Sequence, residues 1–278
     1  MNHRTITAFL AVTACCGVAL AQEAMYTQAA TMPAPGNSII REQIHFFKYG
    51  QNPVTGEKQE DLYVLDNALS VGLARALAVT ITVPVVVKET TLATGDGEWD
   101  YGVEDIDIMF KYRVFMDNTG GVDTTRIAIL GGADITSGDN RDFASQSVNP
   151  MIGAVFTKVM GRHGFNQDLM YTFNTGGTPG RNNGGEGPDD ALAFNSAYVY
   201  RIDPPAYTAD SQGAWYVTAE INGLYETNGD VELRWAPGLM YEGRRFGFEV
   251  MAQFPLWNDL SERAELDLGL GMGVRLLF

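Results

Sequence analysis

The chain has 278 residues and a formal net charge of −15, from 34 Asp and Glu against 19 Lys and Arg, with 31 glycines, 14 Phe and 12 Tyr. An acid excess of this size without a basic run excludes a nucleic-acid-binding face built on Lys and Arg. After residue 21 no stretch reaches the about 20 continuous apolar residues of a membrane helix, so any membrane-spanning form must be a closed barrel.

Residues 1–21 open with Asn2, His3 and Arg4, continue through an apolar stretch from Ile6 to Ala14, and place Ala19 and Ala21 ahead of Gln22. The pattern predicts a cleaved export signal, with the mature chain starting at Gln22. A second reading stays open, since Val12, Thr13, Ala14 and Cys15 form a passable lipobox. Both cysteines, Cys15 and Cys16, lie here, so cleavage before Gln22 removes disulfides, thiolate chemistry and Cys-held metals from consideration. Residues 22–37, with Pro33, Pro35 and Gly36, predict an irregular periplasmic lead-in.

From Ser38 onward, period-two alternation marks twelve segments, at about 38–49, 61–74, 76–88, 103–115, 124–135, 147–159, 165–175, 190–202, 214–225, 230–241, 246–255 and 264–278. The prediction is all-β: a closed antiparallel up-and-down transmembrane β-barrel of 12 strands over residues 38–278. In the third segment Leu77, Val79, Ile81, Val83, Val85 and Val87 share one face, against Ala78, Thr80, Thr82 and Lys88. In the fourth, Ile106, Ile108, Phe110, Tyr112 and Val114 oppose Asp105, Asp107, Met109, Lys111 and Arg113. Charges on one face only fit lipid outside and water inside. The first segment is ambiguous, because Glu42 shares a face with Ile40, Ile44 and Phe46.

The last segment places Ala264, Leu266, Leu268, Leu270, Met272, Val274, Leu276 and Phe278 on one face, with Glu265, Asp267, three glycines and Arg275 on the other. A strand ending on Phe278 resembles the terminal signal read by the outer-membrane barrel-assembly machinery. A soluble β-sandwich is the rival for these strands. Against it stand strands longer than the five or six residues usual in a sandwich. Aromatics at strand ends also suit membrane girdles: Tyr63, Tyr112, Phe115, Phe165, Tyr200, Trp215, Tyr225, Tyr241, Phe246 and Phe278.

With the carboxyl terminus periplasmic, strand directions alternate backwards from Phe278, and the inward charges can be placed by height. Asp105, Asp107, Asp134, Glu232, Glu265 and Asp267 gather as an acidic extracellular mouth, while Lys111, Arg113, Arg126, Arg201 and Arg275 fall toward the periplasmic end. Such an order gives mixed electrostatic selectivity. Its rival is simple pairing of interior acids and bases in a filled barrel. Between the two zones Met109, Met151, Met170 and Met251 line an apolar path, soft enough either to pass small apolar molecules or merely to fill gaps.

Enzymatic readings lack their parts. His163 is followed by Gly164 and Phe165, so the His-x-Ser arrangement resembling outer-membrane phospholipase A is absent, as are Walker, dinucleotide and zinc motifs. The acidic stretches 95–100 and 187–190 lack the full spacing of an EF-hand calcium loop. No catalytic residue, cofactor or metal ligand is expected.

Residues 101–113, Tyr-Gly-Val-Glu-Asp-Ile-Asp-Ile-Met-Phe-Lys-Tyr-Arg, resemble the acidic, alternating Lys-Tyr-Arg strand of the barrel family labelled after the meta-pathway of phenol degradation, with Glu104 where that family has glycine. The resemblance implies an outer-membrane transporter admitting hydrophobic or aromatic compounds. The expected function is passive passage of small molecules across a bacterial outer membrane. The alternative is a non-conducting structural or surface barrel whose extracellular loops carry the function. Expected partners are outer-membrane lipid and lipopolysaccharide, the barrel-assembly machinery and a small-molecule substrate not named by any residue.

Overall fold

Alternation at period two yields strands along most of the chain in the computed structural model, which describes residues 22–56, 58–91, 95–119, 121–138, 143, 145, 147–176, 189–208 and 210–278. The export segment with Cys15 and Cys16, and the Gly-rich stretch 177–188, lie outside the described residues. The strands are β1 (Ser38–Tyr49), β2 (Lys58–Ala74), β3 (Leu77–Thr91), β4 (Gly97–Val103), β5 (Ile106–Thr119), β6 (Asp123–Ile135) and β7 (Asn149–Met160). They continue as β8 (His163–Thr172), β9 (Ala191–Asp203), β10 (Gly213–Glu226), β11 (Val231–Gly243), β12 (Phe246–Asp259) and β13 (Leu266–Leu277).

Every neighbouring pair is antiparallel, and β1 bonds both β2 and β13, so the sheet closes on itself. β4 pairs with the far half of β3, from Val85↔Val103 to Thr91↔Gly97, and β5 with its near half, from Leu77↔Tyr112 to Thr82↔Asp107. The two are one stave interrupted at Glu104 and Asp105, which makes a closed barrel of 12 staves. Closure spends the backbone donors and acceptors within the sheet, as lipid surroundings demand. Short turns join most strands at the end that carries Phe278, here the turn end, and longer connections mostly lie at the opposite loop end; the exceptions are the long β9–β10 connection and the short β10–β11 one.

Outward side chains include Phe110, Tyr112, Val114, Ile129, Val217, Leu270 and Met272, all exposed, whereas their strand neighbours Met109, Ala128, Leu130, Tyr216 and Thr218 are buried in the lumen. In β1, Gln43, His45 and Tyr49 are buried and Ile44 is exposed, which assigns the ambiguous strand. Glu42 therefore shares the outer face.

Register shifts recur around the sheet, and two irregularities bear on the acidic residues. Where β1 meets β13, Lys48 opposes Leu268 but Tyr49 opposes Leu266, so Asp267 is bulged out of the ladder. Beyond that bulge Leu266 and Ala264 turn inward, packing with Tyr49, Leu62, Val86 and Phe143, while Glu265 and Asp267 face out. This corrects the expectation that those two acids line the mouth. The second inversion, at Glu104 and Asp105, lets β4 point Trp99 and Tyr101 outward, the latter 79 % exposed. A stretch expected to be loop is thus a strand.

The lead-in departs furthest from expectation. Residues 22–35 turn up into the lumen, and Ala24, Met25, Thr27, Ala29 and Ala30 are all buried there. The segment has no Lys or Arg and four alanines, small enough to allow close approach. Its backbone N–H groups belong to no strand, so they remain available to acceptors on the wall.

Candidate functional site: a plugged lumen and its side cavity

The plug is held by wall side chains. Glu220, in mid-β10, is completely buried. Its carboxylate accepts from Met25 N at 3.0 Å, Tyr26 N at 3.2 Å, Thr27 N at 2.7 Å and Thr27 Oγ1 at 2.6 Å. Gln28 N donates to Asp168 at 2.7 Å, and Ala30 N to Thr157 Oγ1 at 2.8 Å. In the other direction, Asn166, Arg275, Arg41 and Lys111 donate to the carbonyls of Gln22, Glu23, Ala24 and Ala29. Three consecutive N–H groups on one buried carboxylate are charge-assisted bonds, the stronger kind.

Apolar contacts complete the seat. Ala24 packs with Ala197, Val199, Ala214, Tyr216 and Met240, and Met25 with Ala236 and Met251. Ala30 packs with Met109, Ala128, Leu130 and Val155, with Met151 and Met170 at the margin. Residues 204–208 fold over the turn end, where Tyr207 meets Tyr216 hydroxyl to hydroxyl at 2.5 Å and lies 4.1 Å from the Arg201 guanidinium. Charge pairs fill much of what is left. Glu249 binds Arg41 at 2.8 Å and Arg275 at 2.5 Å, and nearer the loop end Glu232 binds Arg234 at 2.7 Å and also Arg263.

One side of the lumen is not filled. Between the plug and β1, β2, β3 and β5 lies a cavity of about 780 Å³. It begins at the turn end beside Ser38, Phe278, Arg244 and Arg245, passes Gln28, Met32 and Pro33 of the plug, and ends among Asp66, Asp105, Asp107 and Asp134. There Ser137, Gly138, Phe143 and Ser145 lie over it. Asp105 accepts from Ser137 N and Gly138 N, each at 3.1 Å, and from Ser145 N at 2.7 Å and Ser145 Oγ at 2.5 Å. Phe143 seats against Gly102, where an added Cβ would lie 2.4 Å from its ring. Only glycine leaves room for that cover.

No protein-family profile and no curated protein sequence matches the chain. Solved structures do. The COG4313 outer membrane channel from Pseudomonas putida F1 aligns over 89 % of this chain and 97 % of its own, at 10 % identity and a TM-score of 0.55. The beta domain of the Bordetella autotransporter BrkA aligns over 88 % of this chain and 100 % of its own, at 12 % identity and a TM-score of 0.50. LpxR from Salmonella typhimurium aligns over 86 % and 100 %, at 6 % identity and a TM-score of 0.48. The fold is that of an outer-membrane β-barrel.

In this outer-membrane barrel the residues singled out by sequence separate into groups. Asp105, Asp107 and Asp134 meet on the cavity. Glu232 sits elsewhere in the lumen, spent on Arg234 and Arg263, and Glu265 and Asp267 are outside, with Glu265 accepting from Asn258. Lys111 lines the cavity and Arg113 caps the Arg75 carbonyl at the turn-end rim. Arg126 bonds Thr124, while Arg201 and Arg275 are buried under Tyr207 and against Glu249. Met151, Met170 and Met251 support the plug rather than an open path, and of the four methionines only Met109 reaches the cavity.

Glu220, Asp168, Glu249 and Asp66 were not foreseen. Glu220 carried a readable signal, since its cross-strand neighbours are Ala197 and Ala236. A mid-strand inward carboxylate with no base opposite asks for a partner that is not on the wall. Among the described residues no group of three or more His, Cys, Asp or Glu is arranged to hold a metal ion.

Proposed function

We propose that this outer-membrane barrel is a passive channel for small molecules, with the route running beside the plug rather than through the space the plug fills. The observation that carries the reading is the side cavity of about 780 Å³, which runs from the turn-end rim to the carboxylates Asp66, Asp105, Asp107 and Asp134. In this reading the turn end faces the periplasm and Phe278 meets the assembly machinery. The apolar band faces lipid and lipopolysaccharide. The charged and hydroxyl-bearing cavity wall suits polar solutes better than the hydrophobic compounds implied by the family resemblance.

A cross-link tests the route. Ala30 N already bonds Thr157 Oγ1 at 2.8 Å, which sets the two residues at a separation a disulfide can span. In Ala30→Cys/Thr157→Cys, oxidation is expected to leave planar-bilayer conductance and liposome swelling unchanged. Conductance lost on oxidation and regained on reduction would mean that the plug leaves during transport. Absence of conductance in the unaltered protein would favour the non-conducting surface barrel.

A further inference from the structure

On β2, β3, β5 and β6 the wall of the side cavity changes sign along its length, while Arg41 of β1, level with Ala68, is held by Glu249 at 2.8 Å. Cross-strand register sorts the inward side chains of β2, β3, β5 and β6 into rows, spaced about 7 Å apart because inward residues recur at every second position. The row below Asp66 and Pro84 holds Ala68, Thr82, Asp107 and Asp134. The next holds Ser70, Thr80, Met109 and Gly132, with Ser70 and Thr80 hydroxyls 2.7 Å apart. After it come Ala78 and Lys111, and then Arg244 and Arg245 at the rim. On these four strands two acidic rows and a basic stretch are therefore divided by one neutral, hydroxyl-bearing row, with Glu23 of the plug 4.0 Å from the Lys111 ammonium.

Asp107 and Asp134 are direct cross-strand partners, an arrangement in which like charges repel. Among the described residues Asp107 Oδ1 is buried without a hydrogen-bond partner. An ammonium between the two carboxylates relieves both conditions. The matching anion then falls toward Lys111, two rows or about 14 Å away along the strand between backbone positions, and less between side-chain tips. Resting on the channel reading, we infer that the side cavity takes small dipolar solutes, with an ammonium and a carboxylate at opposite ends of a short flexible chain. The ammonium lies at Asp107 and Asp134 and the carboxylate toward Lys111.

Single-channel recording with 6-aminohexanoate as the probe tests this, using 6-hydroxyhexanoate and 6-amino-1-hexanol as singly charged analogues and glycine as the short zwitterion. Interruptions of the open current by 6-aminohexanoate are expected to last about 10-fold longer than those by the other three, the gain of one added charge contact. Asp107→Asn/Asp134→Asn is expected to bring all four to one level, with heat-modifiable migration confirming a folded barrel. Equal interruptions in the unaltered protein would overturn the inference and leave the channel standing. Calorimetric binding of 6-aminohexanoate without any open current would overturn the channel and leave the binding site. Neither current nor binding would overturn both.

Discussion

Glu220 shows how one inward carboxylate fixes a whole segment. It is 0 % exposed and takes three successive backbone N–H groups together with a hydroxyl. Glu220→Gln keeps the size but replaces one acceptor oxygen with a donor that faces other donors. Hydrogen bonds to a charged group contribute about 1.5–3 kcal/mol each and do not add fully, so about 3 kcal/mol of plug seating is expected to go. That is ~100-fold in the opening equilibrium, and it is measured by maleimide labelling of Ala24→Cys, whose parent residue is 1 % exposed. Labelling no faster than in the Glu220 background would show the plug to be held by its apolar contacts instead. Asp230, in the connection between β10 and β11, plays the same part at the loop end. Its carboxylate accepts from Ser261 N at 2.7 Å, Ser261 Oγ at 2.6 Å and Glu262 N at 3.0 Å. Burial pushes its pKa up, but these bonds and Arg263 outweigh burial and hold it below the ordinary carboxylate value. A depressed folded-state pKa means that the stabilisation is present above the ordinary carboxylate pKa and is lost as pH falls through the lowered value. Amide-exchange protection of Ser261 and Glu262, corrected for intrinsic rates, is expected to fall in that acid window, and in Asp230→Asn to be low at every pH.

At the scale of elements, what could be read from sequence was whatever period two alone determines. Eleven of the twelve expected segments became single strands, and the fourth became β5, the lower part of a stave whose upper part is β4, with the 101–113 motif spanning the two. The misreadings share one physical origin. A bulge adds a residue without changing the local composition, so the strand still alternates on either side while its faces exchange. Asp267 and the Glu104–Asp105 step are both of this kind, and each decides whether neighbouring acids see water inside or outside the barrel. The plug was illegible for a different reason. A proline-bearing segment rich in alanine and threonine looks like any linker, and only the closed wall shows that its N–H groups meet Glu220 and Asp168. Deleting Asp267 tests the bulge. The strand would then either push Leu266 and Ala264 outward or strain its pairing with β1, and the Tyr49, Leu62, Val86 and Phe143 cluster would lose its partners. Leu266 is fully buried, and losing that burial costs about 2 kcal/mol. The expected readout is a lower temperature for the heat-modifiable transition than in the intact chain. An unchanged transition would mean that the bulge serves no packing purpose.

For the whole molecule, barrel and plug divide the work between two kinds of bond. The wall is closed by strand-to-strand backbone ladders running through all 12 staves, and none of the hydrogen bonds that hold residues 22–30 contributes to them. Removing residues 22–35 therefore leaves every ladder intact. The freed carboxylates Glu220 and Asp168 are not stranded in a dry interior, because water enters the space the plug vacates and takes over as donor. The wall pairs Arg41–Glu249 and Arg275–Glu249 persist, since both partners belong to strands. The deletion variant is thus expected to fold, to show the same heat-modifiable shift as the full chain, and to conduct at least ~3-fold more current, as a wider aqueous path requires. It is also expected to discriminate less among charged solutes, because the Asp107–Asp134 row would face a broad lumen in which salt screens it beyond about 8–10 Å. Swelling assays with the same four probes would show this as a collapse of their rates toward a common value. A deletion variant that failed to reach the folded, heat-modifiable state would assign the plug to assembly of the barrel. One that folded with unchanged conductance would place the barrier in the cover that Asp105 holds at the loop end.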